Sequence, residues 1–349
     1  MRNWITFLMT LLVGSTASFV SADYMGVDNG FLPDEGYGYQ GMGSKVSFEA
    51  GYRRDNISWS ARVPASHPSF KTTSRFKDLD IFQVGIHART GIGCNFYARA
   101  AAHWGWLFDG DFEQRTTTFV HASDFSLNCS NDLERFASEK NLVDDKYVID
   151  VGAAIGYPFS FCCGSVTLAP VIGYAFNEQN IWVDGNKHGH GFGNNCGSGY
   201  GCGNGGECCR DKSILRWYGP FIGLDFAYSP YGECWSLFAE LEYHYAHFKN
   251  KRHDNFGFDL LDNFNKTIRR AHGWVIAAGA DYDMGNCWTL GLSFKFQDWK
   301  ASKSHRHDGF SGDFAYLFSS SDEGCCSNRF RTHAKWHSGS INVALGYQF

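Results

Sequence analysis

Asp109-Gly110-Asp111 places two carboxylates on alternate residues, so an extended backbone points both to one side. Carboxylates that close perturb each other's proton affinity, and a pair of them can hold and activate a water for attack on a polar bond. A matching base is harder to find. Lys251-Arg252-His253-Asp254-Asn255-Phe256 offers a histidine and an acid, but they are adjacent, and adjacent side chains on a strand point to opposite faces. Asp-Gly-Asp is also ordinary turn chemistry, so hydrolysis is the second reading of these residues. The other reactive set is twelve cysteines. Cys196, Cys202 and Cys208 are separated by five residues each, unlike the ligands of a zinc ribbon, and His188 and His190 lie eight and six residues ahead of Cys196. The expectation is disulfide chemistry in an oxidising compartment, with no metal and no cofactor.

Something must position these groups, and the strongest periodicity in the chain is two. Ten segments of roughly 11 to 19 residues alternate apolar and polar, a length suited to tilted strands that cross a bilayer. They are 44–60, 79–90, 96–108, 145–157, 165–182, 214–228, 235–247, 272–284, 288–299 and 337–349. In 288–299, Trp288, Leu290, Leu292, Phe294 and Phe296 take one face, and Thr289, Gly291, Ser293, Lys295 and Gln297 the other. In 235–247, Trp235, Leu237, Leu241, Tyr243 and Tyr245 oppose Ser236, Glu240, Glu242 and His244. The apolar faces begin or end in Trp or Tyr, as aromatic girdles at two membrane interfaces require.

The connectors alternate too. Turns at 91–95, 158–164, 229–234 and 285–287 are short, while 61–78, 109–144, 183–213, 249–271 and 300–336 are long and polar. This is the asymmetry of short periplasmic turns and long extracellular loops. The fold class expected is therefore all-β: an antiparallel transmembrane β-barrel of about ten strands, or twelve if two more lie within a long loop. An even count places both termini on the periplasmic side.

Composition agrees. Aromatics make up 17% of the chain, with 40 glycines and seven prolines, and the mean hydropathy is below zero. That hydropathy excludes a helical membrane protein, whereas strands that meet lipid with every second residue average to such a value. Arg2, the apolar run from Trp4 to Val13 and Val20-Ser21-Ala22 read as a signal peptide over 1–22, too short in its apolar run to span a bilayer, leaving the barrel over 23–349. Losing Arg2 takes the net charge from -5 to -6. Nothing basic invites nucleic acid, and the partners expected are outer-membrane lipid, ions and small solutes.

Cys94, Cys162, Cys163, Cys234 and Cys287 fall in the short turns. Cys129, Cys196, Cys202, Cys208, Cys209, Cys325 and Cys326 fall in the long loops. Cysteines on separate turns of one rim are too far apart to pair unless their α-carbons come within about 7 Å, which leaves other copies or other envelope proteins as partners. Together with the signal segment and the girdled strands, this cysteine use resembles the cysteine-rich major outer-membrane porins of chlamydiae and chlamydia-like bacteria. The resemblance implies a diffusion channel and a disulfide-stiffened envelope. It also implies that Phe349, closing the alternating run from Ile341, is the aromatic that barrel-insertion machinery reads. Strand number, loop lengths and Trp104-Gly105-Trp106-Leu107-Phe108-Asp109-Gly110-Asp111 are similar to the omptin outer-membrane proteases as well. In that likeness Asp109 and Asp111 would be the catalytic acids, although the opposing Asp-x-His pair is missing.

With the apolar faces in lipid, the lumen is lined by Lys45, Glu49, Arg53, His87, Arg89, Arg99, His103, Asp150, Asp225, Glu240, Glu242, His244, Asp281 and Lys295. Gly85, Gly152, Gly173, Gly223, Gly279 and Gly291 sit among them and are expected to leave room. The reading is a porin for ions and small hydrophilic solutes. The alternatives are an omptin-like endopeptidase, and an adhesin or structural barrel whose ten strands close on paired charges.

Overall fold

The computed structural model describes residues 44–63, 69–92, 96–119, 136–141, 146–162, 165–184, 210–253, 266–306 and 329–349, all within one compact unit. The signal segment 1–22, Asp254 and the cysteines at 94, 129, 163, 196, 202, 208, 209, 325 and 326 lie outside the described residues. Twelve strands are present among those described: β1 (Lys45–Val63), β2 (Ser69–Ile92), β3 (Phe96–Phe119), β4 (Phe136–Asn141), β5 (Lys146–Gly156), β6 (Phe159–Phe161), β7 (Val166–Asp184), β8 (Arg210–Tyr228), β9 (Trp235–His253), β10 (Lys266–Gly285), β11 (Trp288–Arg306) and β12 (Arg329–Gln348).

Ten of them form the ring. Each pairs antiparallel with its neighbours in the order β1, β2, β3, β5, β7, β8, β9, β10, β11, β12, and β12 returns to β1. Closure satisfies every edge, which a bilayer demands because lipid offers no hydrogen bonds. β4 is an extra ribbon on the upper part of β3, and β6 is a three-residue return within the 158–164 turn that pairs with β7.

The outward face is apolar and exposed over the lower part of the barrel, at Phe48, Ile172, Ile222, Phe294 and Val343 among others. Its margins carry aromatic residues, with Tyr157, Trp235, Tyr282, Trp288 and Tyr347 toward the short turns and Trp104, Trp106, Tyr174, Tyr245 and Trp274 at the other margin. The strands run further than the alternation suggested. β3 continues to Phe119, where 109–144 was expected to be loop, β11 to Arg306 and β12 from Arg329.

The reason for the missed extensions is an inversion of polarity. In β11, Leu292, Phe294 and Phe296 face outward below, but one turn of the pleat higher the outward residues are Asp298 and Lys300, and the buried ones Trp299 and Ala301. β12 does the same, from Ile341 and Val343 outward to Trp336 and Ala334 inward. Above the lipid the outside meets water, so the apolar set turns inward as in a soluble barrel.

The periplasmic end is made of tight turns. β10 and β11 are joined by Asn286 and Cys287, both at positive φ (55° and 67°) after Gly285 at 81°. Positive φ at both central residues defines the type I′ hairpin, whose twist matches that of the strands.

Candidate functional site

All fourteen residues expected in the lumen point inward, and twelve of them are held in ion-paired groups instead of forming a free lining. Arg99 from β3 reaches three carboxylates on β8 and β9, with Nε to Asp225 at 2.7 Å, Nη1 to Glu240 at 3.0 Å and Nη2 to Glu242 at 2.6 Å. Arg53 on β1 grips Asp55 through Nε and Nη2, at 2.7 and 2.6 Å, and crosses to Asp150 on β5 at 2.6 Å. Glu49 meets His103 at 3.0 Å, and Glu242 meets His244 at 2.7 Å. Toward the short turns, Asp281 takes Lys45 at 2.7 Å and Arg89 at 3.4 Å. Such pairing offsets the desolvation cost that an isolated charge carries in a barrel interior.

The network surrounds a chamber of about 110 Å³, bounded by Glu49, Arg53, His103, Glu240, Glu242 and Lys295, with a further void of about 20 Å³ below it between Lys45, Arg89 and Asp281. His87 and Lys295 face the chamber without an ion-pair partner among the described residues. Several buried polar atoms have no protein partner, including Arg89 Nε, Asp150 Oδ1 and His244 Nδ1. Groups of this kind require water, and the chamber is large enough for several molecules.

Above the chamber the interior is aromatic. Trp217, Trp299 and Trp336 are fully buried and lie 5.7 to 6.2 Å apart, with Phe248 against Trp217 at 4.4 Å. Arg53 stacks on Trp336 at 5.3 Å and His244 on Trp299 at 4.7 Å, so the aromatic layer seats directly on the charged network. Gly273 is where β10 lets this layer close, since a Cβ there would come within 2.5 Å of the Trp299 ring.

The lumen glycines mostly do not leave the room expected of them. A Cβ at Gly173 would strike the Phe221 ring, and one at Gly279 the Phe238 ring, so these glycines admit a neighbour's side chain instead of a passage. Gly152 does border the chamber.

The acids of the hydrolytic reading are turned the wrong way. The β2–β3 register shifts between Lys77 and Asp80 and again at Ile81, and across this bulge Asp109 pairs with Asp80 and Asp111 with Lys77. Asp80 holds the outward-facing Tyr52 and Arg54. Phe112 is instead buried against Phe76 at 4.9 Å, leaving Asp109 and Asp111 exposed on the outer surface. An extra residue flips the face of everything beyond it, and here it removes both carboxylates from the mouth of the barrel.

Sequence reasoning missed Asp55, although Arg53-x-Asp55 has the same-face spacing of two. It also missed the three tryptophans: Trp336 fell in an expected loop, and Trp217 and Trp299 were inward by alternation but were not charged. Of the turn cysteines, Cys162, Cys234 and Cys287 are described, and each is a free, exposed thiol at the periplasmic end.

Residues 47–349 match the family model described as Pom: Protochlamydia outer membrane protein. No curated protein matches the chain. Among solved structures, the barrel is similar to the crystal structure of the outer membrane protease OmpT from Escherichia coli, with a TM-score of 0.51, 12% identity, and 92% of this chain and 99% of that one covered. It also aligns with the translocator domain of the autotransporter NalP from Neisseria meningitidis (TM-score 0.34, 12% identity, 100% and 98% covered). A FadL homologue from Pseudomonas aeruginosa aligns at a TM-score of 0.31 (12% identity, 88% and 90% covered). At these identities the OmpT likeness speaks to the fold.

Proposed function

The chain belongs to the Protochlamydia outer membrane protein family and is a ten-stranded barrel of the bacterial outer membrane, and from that premise we propose that it is a narrow porin passing ions and the smallest hydrophilic solutes. The observation that carries this reading is the charged chamber, whose unpartnered polar atoms call for water. Ion preference would come from Arg99, Lys295 and the carboxylates around them. The exposed thiols of Cys162, Cys234 and Cys287 would cross-link the barrel to other copies or to periplasmic envelope proteins. A signal peptide over 1–22, removed on export, belongs to the same proposal.

The test is conductance. Refolded protein added to a planar bilayer is expected to give small stepwise currents, and silence at high protein load would overturn the porin. A second reading, a structural barrel with a closed lumen, is favoured by the layer of Trp217, Trp299 and Trp336. Silence would select it. Cross-linking is tested separately by gel electrophoresis of envelopes with and without reductant, where a monomer band indifferent to reductant would remove it.

A further inference from the structure

The outward faces of β10, β11 and β12 carry a surface that a lumen function does not use. The ladder sets Tyr243, Trp274, Asp298 and His337 side by side across β9 to β12, and in the next row up Tyr245, His272, Lys300 and Lys335. The row below them is Leu241, Ile276, Phe296 and Gly339. From Tyr282 to Trp274 the apolar outward face of β10 covers about 26 Å of strand, which at a tilt of about 40° rises roughly 20 Å, and the step on to His272 brings the rise to about 25 Å, the height of an outer-membrane apolar band. Trp274, Tyr243 and Tyr245 therefore stand at the outer interface, and the cations stand immediately above them, at headgroup level.

The charges there are unbalanced. Asp298 is the one acid in the two rows, and it is engaged by Lys300 at 2.8 Å and His337 at 2.9 Å. Lys335 has no acidic partner among the described residues, and His272 already shares its Nδ1 with the Tyr243 hydroxyl at 2.8 Å, leaving Nε2 directed elsewhere. On the β2–β3 side, Asp78, Asp80, Asp109 and Asp111 stand above the aromatic margin together with Arg54, Arg75 and Lys77, Arg54 being taken by Asp80 and Lys77 by Glu113. The β9–β12 flank is thus cationic, while acids and cations are mixed on the β2–β3 flank.

We propose that the cationic flank is a binding site for a phosphate-bearing lipid of the outer leaflet. Lys300 and Lys335 donate to the phosphate oxygens, with His272 at the edge, while an acyl chain runs down Trp274, Ile276 and Phe296. The apolar rows below favour a lipid over free phosphate, since they bury chain as well as charge. Each lysine at such a surface contributes about fivefold in affinity, the equivalent of roughly 1 kcal/mol.

The experiment is native mass spectrometry of the refolded full chain in a zwitterionic detergent, loaded with dioleoyl phosphatidic acid or with dioleoyl phosphatidylcholine. Preferential retention of phosphatidic acid is expected, falling about fivefold in Lys335→Gln and about 25-fold in the Lys300→Gln, Lys335→Gln double variant. The double variant Arg75→Gln, Lys77→Gln loses equal charge on the other flank and is expected to retain the lipid. Heat-dependent gel migration verifies that each variant is folded, and Lys335→Gln alone carries the test if the double variant is not. Equal retention of the two lipids, or an equal loss in the Arg75, Lys77 variant, would overturn the proposal. Complete displacement of the lipid by inorganic phosphate would do so too, reassigning the patch to the free anion.

Discussion

Trp299 and Trp336 stack across the β11–β12 ladder at 5.7 Å and 15°, one pleat above Gln297 and Ser338 on the same inward face. A single step along two strands carries the interior from a charged chamber to an aromatic layer. Whatever crosses the barrel must pass both.

Removing the layer tests which of the two limits passage. Trp299→Ala with Trp336→Ala is expected to destabilise the barrel, by about 3 to 5 kcal/mol per site, and to enlarge single-channel conductance. Urea unfolding of refolded protein and bilayer recording measure the two effects. Unchanged conductance in a folded variant would place the constriction elsewhere.

Arg99 is the hub of the charged network, and its loss leaves Asp225, Glu240 and Glu242 facing one another. Arg99→Gln should destabilise by about 3 to 5 kcal/mol, as breaking a buried pair does. In any fraction that folds, the added negative charge should shift the reversal potential in a salt gradient toward cations. Lys295→Gln, which breaks no ion pair, should shift the potential in the same direction with little loss of stability.

Cys287 occupies the second central position of a type I′ turn, at a φ of 67° that favours glycine. Cys287→Gly is expected to raise the unfolding free energy by about 1 kcal/mol and to abolish maleimide labelling at that turn, while Cys162 and Cys234 continue to react. A destabilised variant would show that the thiol itself contributes to the fold.

Asp109 and Asp111 are exposed on the outer surface. Asp109→Ala with Asp111→Ala should change stability by less than about 0.5 kcal/mol, as surface substitutions do, and should leave any cleavage of a fluorogenic peptide panel as it was. Cleavage present in the native chain and lost in this variant would restore the hydrolytic reading.

Much of the fold was legible because lipid imposes a rule on every second residue. Phe294, Leu292 and Leu290 announce β11 as plainly as Val343 and Leu345 announce β12, and the inward direction of Arg99, Glu242 and Asp281 follows from the same count. The turn at Asn286 and Cys287 was legible as well. What the count could not supply was partnership. Arg99 is separated from Asp225 by more than a hundred residues, and only the closed ring brings β3 opposite β8 and β9.

By itself the sequence determined the period, the short and long connectors, and which residues share a face over the lipid-crossing part of each strand, since all of these are local consequences of a two-residue repeat. The tertiary structure alone decided where the sense of that repeat reverses. At Trp299 and Trp336 the surroundings of the strand change from lipid to water, and the apolar face changes sides without any break in the backbone. At Asp109 a one-residue bulge, specified by pairing with β2 and not by β3 itself, turns two carboxylates away from the barrel mouth. Both outcomes depend on what lies across the ladder, and a single strand carries no record of its neighbours.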